Sequence, residues 1–513
     1  MSFRGLLTDV VVLGRDVDLW LTVGCIARAM GPAGVKVVAI ELPARLHPGH
    51  ISATLPPLEA LHARLGIQEA ELLRVTSGSF SLGQNFVGVG PGFFHAWATY
   101  GAPIDGQGFL PCWLEATRQG FNLPLRNFCL TAVAAQNGRM LVPDEATAAF
   151  GRTDYGYHFQ TWAYVGYLKS LAAKLGVEYR EARTVGAERA ADGSIVALLV
   201  DGVRVAGQLF VDATGEDAVL MGESPGESPL GTSLRLQSPL PRFQSWRGHF
   251  PVDRILEARA PAFTSIPPFA EVRISQAGWT MLHPSRVATG IVHAYSSGRL
   301  NDDAARAAAT AVCGAKLDDV VCRTVSPGVR SSFWEGNCVA VGGAACRLDP
   351  LHDVDLHALQ LGIVHLVSLF PVCEVFAAER VEYNRLMRSH YERIRDFQCA
   401  YYALGARNVA VSDWSRGSGD VPSWDSLAHK IATFRACGYV PPMEDETFSA
   451  ESWQALLIGL GVIPEHVSPA IGLIPTRRFK EEFARMLAFI KTKVLEQPTH
   501  DSYLDSLLRK VAA

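Results

Sequence analysis

The residues best placed for chemistry stand at the first turn of the chain. A hydrophobic run, Val10 to Leu13, leads to Gly14; a helical stretch spans Trp20 to Met30; a second hydrophobic run, Val35 to Ile40, ends in Glu41. Strand, glycine turn, helix, strand and acid is the plan that holds a dinucleotide, with the diphosphate on the helix N-terminus and the acid on a ribose. The flanks follow that plan and the turn departs from it. Of the three glycines expected, only Gly14 is present; Asp16 and Leu19 take the other two places, and Asp18 lies between them. The second glycine lets backbone approach the diphosphate and the third lets helix and strand pack closely. A carboxylate at a helix N-terminus competes with a phosphate for the same N–H groups. The sequence therefore keeps the frame of a flavin- or nicotinamide-binding unit and withdraws its contact with the cofactor.

Other candidate groups are scattered. Asp212-Ala213-Thr214-Gly215 closes a strand in a tight turn, and Gly342 and Gly343 allow close packing after another. Glu41 reads either as a ribose acid or as an ordinary strand-end acid. His352 titrates near neutral pH when unperturbed and is a candidate base; the alternative is a surface or cleft histidine with no role. In the run HDVDLH, helical spacing puts His352 and Asp355 on one face and leaves His357 off it, and no HxxxH or HExxH spacing occurs, so no metal is expected. His95, Trp97, Phe109 and Trp279 could line an aromatic pocket, with a core role as the alternative for Trp97 and Phe109.

Those residues sit in a chain of 513, 48% hydrophobic and 19% charged, with a net charge of −4. This is a core-rich globular composition with no basic excess to attract nucleic acid or an anionic membrane. The N-terminus lacks the pattern of a signal peptide, and no apolar run is long enough to span a bilayer. Ten scattered cysteines without a CxxC pair read as free thiols in a reducing, cytoplasmic setting.

The positioning elements follow. Residues 56–66 predict a short helix, and 160–176 predict a longer one stopped by Gly176. Residues 177–215 predict a β-meander turning at Asp192-Gly193 and Asp201-Gly202. Residues 230–300 read as strand and loop, 336–345 as a buried strand entering a glycine turn, and helix dominates from 356 onward.

Several segments together resemble the flavin-dependent tryptophan halogenase family: ATLPPLEALHARLGI (53–67), YGYHFQTWAYVGYLKSLAAKLGVEY (155–179), LFVDATG (209–215), FWEGNCVAVGGAACRLDPLHDVDLH (333–357), EYNRLMRSHYERIRDFQCAYYAL (382–404) and FSAESWQALLIGLGVIP (448–464). The resemblance implies an α/β flavin-monooxygenase-like fold, with a Rossmann-type FAD domain, a β-sheet substrate domain and a helical C-terminal region. The expected division is 1–75, 151–225 and 331–370 for the FAD-type domain, 76–150 and 226–330 for the substrate side, and 371–513 for the helical part. In active members, reduced FAD and oxygen oxidise a halide, a lysine directs the hypohalous acid to an aromatic carbon, and a glutamate assists.

Position by position, this chain departs from that pattern. The lysine segment, AFKAAIKF in the family, reads Ser79 to Phe86, so the lysine becomes Ser81. The glutamate and serine of LEPLEST fall on His352 and Asp353, and the halide-cradling positions on Val354 and Asp355. The WxWxIP signature reads Trp279 to Pro284, with Met281 for a tryptophan and His283 for the isoleucine. The second flavin motif, GxGEAT, carries Ile51 and Ser52 in place of glycine and glutamate. A serine hydroxyl cannot hold a halogen as a lysine does. The expectation is thus a degenerate member with no intact catalytic residue (Ser81, His352, Asp353). Its cofactor positions, Gly14, Glu41, Asp212, Gly215 and Gly342, would be vestigial, and FAD would bind only if the family function is kept. Such a chain would serve as a non-catalytic partner, in a heterodimer with an active paralogue or as a homodimer. The other readings are an unusual flavin enzyme using His352 or His95 as acid or base, and a binding module for an indole-like or peptide ligand.

Overall fold

The computed structural model describes residues 7–88, 92–222, 242–275, 278–373, 375–405 and 424–512. Strand β1 (Asp9–Gly14), helix α1 (Asp16–Met30) and strand β2 (Lys36–Glu41) form the expected opening unit. Val10, Val11, Val12 and Leu13 are all fully buried, as a parallel strand covered on both faces requires. β1 pairs in parallel with β2 on one side and with Leu209–Ala213 on the other. Cys338–Ala340 and Glu178–Glu181 extend the sheet outward, and Trp334–Glu335 closes one edge antiparallel. In this register Gly14 stands beside both Glu41 and Ala213. The turn, the acid and the DATG segment therefore share the carboxyl end of the sheet, where α/β sheets bind ligands.

Helix α1 starts four residues earlier than its apolar pattern indicates. Asp16 enters it with φ 51°, a left-handed conformation that Asp tolerates better than most residues. The helices at 57–65 and 161–174 form as predicted, with Gly66 (φ 77°) and Gly176 (φ 78°) at or just past their ends. The meander is smaller than predicted. Glu178–Glu181 joins the parallel sheet, leaving three strands at 185–189, 195–200 and 203–206. Asp201 and Gly202 both have positive φ, the two-residue turn that matches strand twist.

The second large sheet has seven strands in the order Asp318–Thr324, Arg254–Pro261, Ala288–Tyr295, Gly278–Pro284, Ala270–Ser275, Gly83–Val87 and Phe93–Ala96. A small sheet of Ile51–Ala53, Gly156–Gln160 and Ser79–Ser81 lies beside it, and Ile51 packs against Gly290 of the larger one. Helices 355–368, 377–405, 425–437, 450–459, 476–496 and 500–512 make the C-terminal region. The expected boundary at 225/226 and the start of the 230–300 reading lie outside the described residues. All ten cysteines are free thiols. Among the described residues no helix is long and apolar enough to cross a membrane, and no three metal-ligating side chains group together.

Candidate functional site

At the carboxyl end of the parallel sheet, three of the predicted cofactor residues are used by the chain itself. A Cβ on Gly14 would stand 2.5 Å from the Ala213 carbonyl oxygen, so strand packing by itself requires glycine here. Asp212 is fully buried and accepts hydrogen bonds from the Thr214 hydroxyl (2.6 Å) and the Leu220 (2.7 Å) and Met221 (3.0 Å) N–H groups. It ties down the turn that contains Gly215. Glu41 accepts from the Trp20 indole N–H on one oxygen and from Lys169 Nζ on the other, both at 2.8 Å. Burial pushes the Glu41 carboxyl up, but the bonds from Lys169, Trp20 and Tyr179 outweigh it and hold it below its ordinary range.

The substituted turn lines a recess. Asp16 accepts the Arg45 backbone N–H (3.0 Å), while Arg15 and Arg45 both pair with Asp217. Asp18 faces the Gly342-Gly343 turn, where a Cβ on Gly342 (φ 56°) would come within 2.6 Å of its carboxylate. Burial, with Asp355 and Asp16 nearby, raises Asp18 to about 7 against the bond from the Gly343 N–H. Asp355, at the start of the helix 355–368, is raised likewise to about 7, by burial and by Glu216, Asp353 and Asp349. The Asp355 residue is nonetheless solvent-exposed. Among the described residues neither Asp18 nor Asp355 has an ion-pair partner within 4.0 Å. Across the recess, Glu257 joins His50 (3.6 Å) to Arg323 (3.0 Å).

The substituted catalytic positions behave differently. Gln84 donates its amide N–H to Asp353 Oδ2 (2.8 Å) and accepts on Oε1 from His352 Nδ1 (3.1 Å). The other oxygen of Asp353 accepts from His283 Nε2 at 2.9 Å. These bonds fix which nitrogen of each ring points into the network, and they leave His352 Nε2 and His283 Nδ1 buried and without a partner. His352 is fully buried, which excludes the surface reading. His352 (φ 72°) and Asp353 (φ 55°) are consecutive left-handed residues, a strain of about 1–3 kcal/mol each that only a constrained site retains. Ser81 is also buried, with its hydroxyl donated to the Gly83 carbonyl (3.3 Å).

His95 lies directly across the strand pair from Gln84 and 4.7 Å, ring to ring, from Trp97. Burial drives His95 down to about 3 and His352 well below its ordinary value, so both are neutral at physiological pH and hold no proton to donate as imidazolium. The other two pocket candidates lie apart. Phe109 packs on Phe128 and Phe483, and Trp279 donates its indole N–H to Tyr402 (2.8 Å), which bonds Asp349.

The sequence profile of the tryptophan halogenase family matches residues 9–476. The chain belongs to that family. It is 26% identical to a tryptophan 6-halogenase of Streptomyces albogriseolus, over 91% of this chain and 92% of that protein. It superposes on a flavin-dependent halogenase of Brevundimonas sp. with TM-score 0.88 at 27% identity, covering 98% of this chain and 99% of that one. A second such halogenase, from Xanthomonas campestris, gives TM-score 0.88 at 26% identity with the same coverage. The flavin-monooxygenase-like α/β architecture with its helical C-terminal region is thereby established. Against this background, the turn residues do not suit a dinucleotide diphosphate. Asp18 already accepts the Gly343 N–H and presents a carboxylate where a diphosphate needs donors, and Ile51 stands where the second flavin motif has glycine.

Sequence reasoning missed Gln84 and His283 as site residues, as well as the Trp20–Glu41–Lys169 contact. Each was a visible departure from a motif or an unremarkable residue; what gave it meaning was a partner 70 to 269 residues away, or 21 and 128 in the case of Glu41.

Proposed function

We propose that this chain is a halogenase-family protein that has given up flavin-dependent halogenation and serves as a non-catalytic partner, pairing with an active halogenase or with itself. The observation that carries this reading is how the catalytic positions spend their polar groups. Gln84, His283, His352 and Asp353 bond one another, and Ser81 bonds its own strand, so the lysine position holds no amine and the glutamate position holds an imidazole tied into a network by its Nδ1. The unpaired carboxylates of Asp18 and Asp355 add charge repulsion against a diphosphate. Three strongly exposed valines, Val372, Val375 and Val381, offer apolar surface suited to a partner. A fold kept whole while its chemistry is replaced can still present a dimer face.

A second reading is favoured by the His283–Asp353 pair. A carboxylate that fixes one imidazole nitrogen and leaves the other without a partner is the arrangement that orients a base. In that case the chain is an enzyme with a non-standard site.

Visible absorption of the purified protein, titrated with oxidised and then with reduced FAD, decides between them. The partner reading expects no saturable binding in either state, and co-elution with an active halogenase of the same source at a defined stoichiometry. Tight one-to-one flavin binding overturns it and makes halogenation and hydroxylation assays the next step.

A further inference from the structure

The helix Asp355–Ser368 packs on the long helix Ala377–Gly405 with two imidazoles end to end. His365 Nε2 and His390 Nε2 lie 2.9 Å apart, and their ring centres 5.0 Å. Neither residue is among the altered flavin or catalytic positions. His390 is buried and His365 half-buried, so the pair meets solvent at His365. Without an ion the two nitrogens share one proton, one donating and the other accepting. That bond accounts for the distance and leaves the charge around it unexplained.

Asp445 lies in the connection between the helices Asp425–Cys437 and Ala450–Gly459 and turns it with φ 59°. Its Oδ1 stands 3.9 Å from His390 Nε2, and its Oδ2 is buried without a partner. Glu382, whose charge acts on His365, shares a single guanidinium with Glu444: Arg385 pairs with them at 2.8 Å and 3.8 Å. Three carboxylates against one guanidinium leave a surplus of negative charge beside the imidazoles. Burial holds both imidazoles below their ordinary range, and so neutral at physiological pH, the form in which histidine ligates a metal.

The spacing of the two nitrogens discriminates between ions. Ligands at right angles on an ion about 2.1 Å away stand about 3.0 Å apart, whereas tetrahedral ligands stand about 3.4 Å apart. The observed 2.9 Å matches the first arrangement. We infer that His365 and His390 form a two-imidazole chelate for a divalent transition ion of square-planar or octahedral preference, of the Ni²⁺ or Cu²⁺ kind. Asp445 is too far away to ligate directly and bonds a water on the ion instead; the chain supplies two ligands and water the rest. On binding, both Nε2 lone pairs turn to the ion and the shared proton moves to an Nδ1. The ion then pins two helices at one point, and one of them carries Asp355 into the recess at its other end.

The test uses full-length protein without a histidine tag, stripped of metal by a chelator and titrated with Ni²⁺ alone by calorimetry and thermal melting. One equivalent is expected to bind and to raise the melting temperature. His365→Ala and His390→Ala are each expected to weaken binding about tenfold or more, and Asp445→Asn by less. His429→Ala, at an exposed position, is expected to change nothing. With Cu²⁺, electron spin resonance is expected to show two nitrogen couplings in the unmodified protein and one fewer in His365→Ala. No saturable Ni²⁺ binding, or binding that survives both histidine replacements, overturns the chelate. So does equal binding of Mg²⁺, which marks an oxygen site. If His390→Ala does not fold, His365→Gln at the half-buried position carries the same expectation. The flavin titration does not report on this site, so the two tests fail separately.

Discussion

The recess at the end of the parallel sheet and the network around Asp353 have both departed from the family pattern, in opposite ways. In the recess, Asp18 and Asp355 have no ion-pair partner within 4.0 Å among the described residues, and Asp355 helps to raise the Asp18 carboxyl. Around Asp353, Gln84, His283 and His352 arrive as a set in which both Asp353 oxygens and both ends of the Gln84 amide are partnered, while one nitrogen of each imidazole is not. Losing a cofactor contact requires only that something unsuitable stand in the way. Replacing a buried catalytic group requires that its substitute be satisfied, because an unmade buried hydrogen bond costs more than a made one contributes. The first change tolerates accidents and the second does not.

That contrast sets the size of the effects expected. The largest belongs to Asp353→Ala, which strands the His283 N–H and the Gln84 amide in the core. Its expected cost is about 3 kcal/mol in chemical denaturation, whereas Asp18→Ala in the recess should be neutral or stabilising. A small loss for Asp353→Ala would dissolve the distinction between the regions. Next comes Gly342→Ala. Its methyl group would meet the Asp18 carboxylate, in a backbone conformation that favours glycine, with an expected cost of about 2 kcal/mol. In an Asp18→Ala background only the backbone part, about 1 kcal/mol, should remain.

A third test sharpens the recess itself. The Asp18 carboxyl is held at about 7 in the folded protein against an ordinary 3.8. Between those values the folded chain keeps a proton that the unfolded chain has released, so this group's contribution to stability falls as pH rises through the window and is fully lost above 7. Asp18→Asn should therefore raise the melting temperature relative to the unmodified protein at pH 8 and leave the difference near zero at pH 4. The smallest effect expected is the coupling between His283→Ala and Asp353→Ala in a double-mutant cycle, about 1 kcal/mol, because contacting partners in one network are not additive.

The architecture was legible because it rests on local signals: the apolar runs of β1 and β2, Gly66 and Gly176 closing helices, and Asp201-Gly202 turning a hairpin. The first strand of the meander was misplaced because a strand's partner is a long-range fact; Glu178–Glu181 pairs with β2, far back in the chain. At the site, sequence alone identified the altered positions but treated them one at a time. His352 read as a drifting histidine because nothing near it in sequence reveals Gln84. Phe109 and Trp279 read as pocket residues for the same reason: an aromatic side chain announces its bulk, and only packing decides what it faces.

The contact between Trp20, Glu41 and Lys169 has a consequence for reversibility. Glu41 stands at the place where the dinucleotide plan puts its ribose acid, and each of its oxygens is already engaged, one by an indole from α1 and one by an ammonium from the helix 161–174. A ribose hydroxyl arriving there would have to compete with groups tethered to the same protein, present at far higher effective concentration than any free ligand. Putting glycines back into the turn would open the diphosphate end and leave this lock closed. On the proposed reading, a way back to a cofactor needs changes at both ends of the recess at once, and a lineage that mutates one position at a time meets that demand as a ratchet.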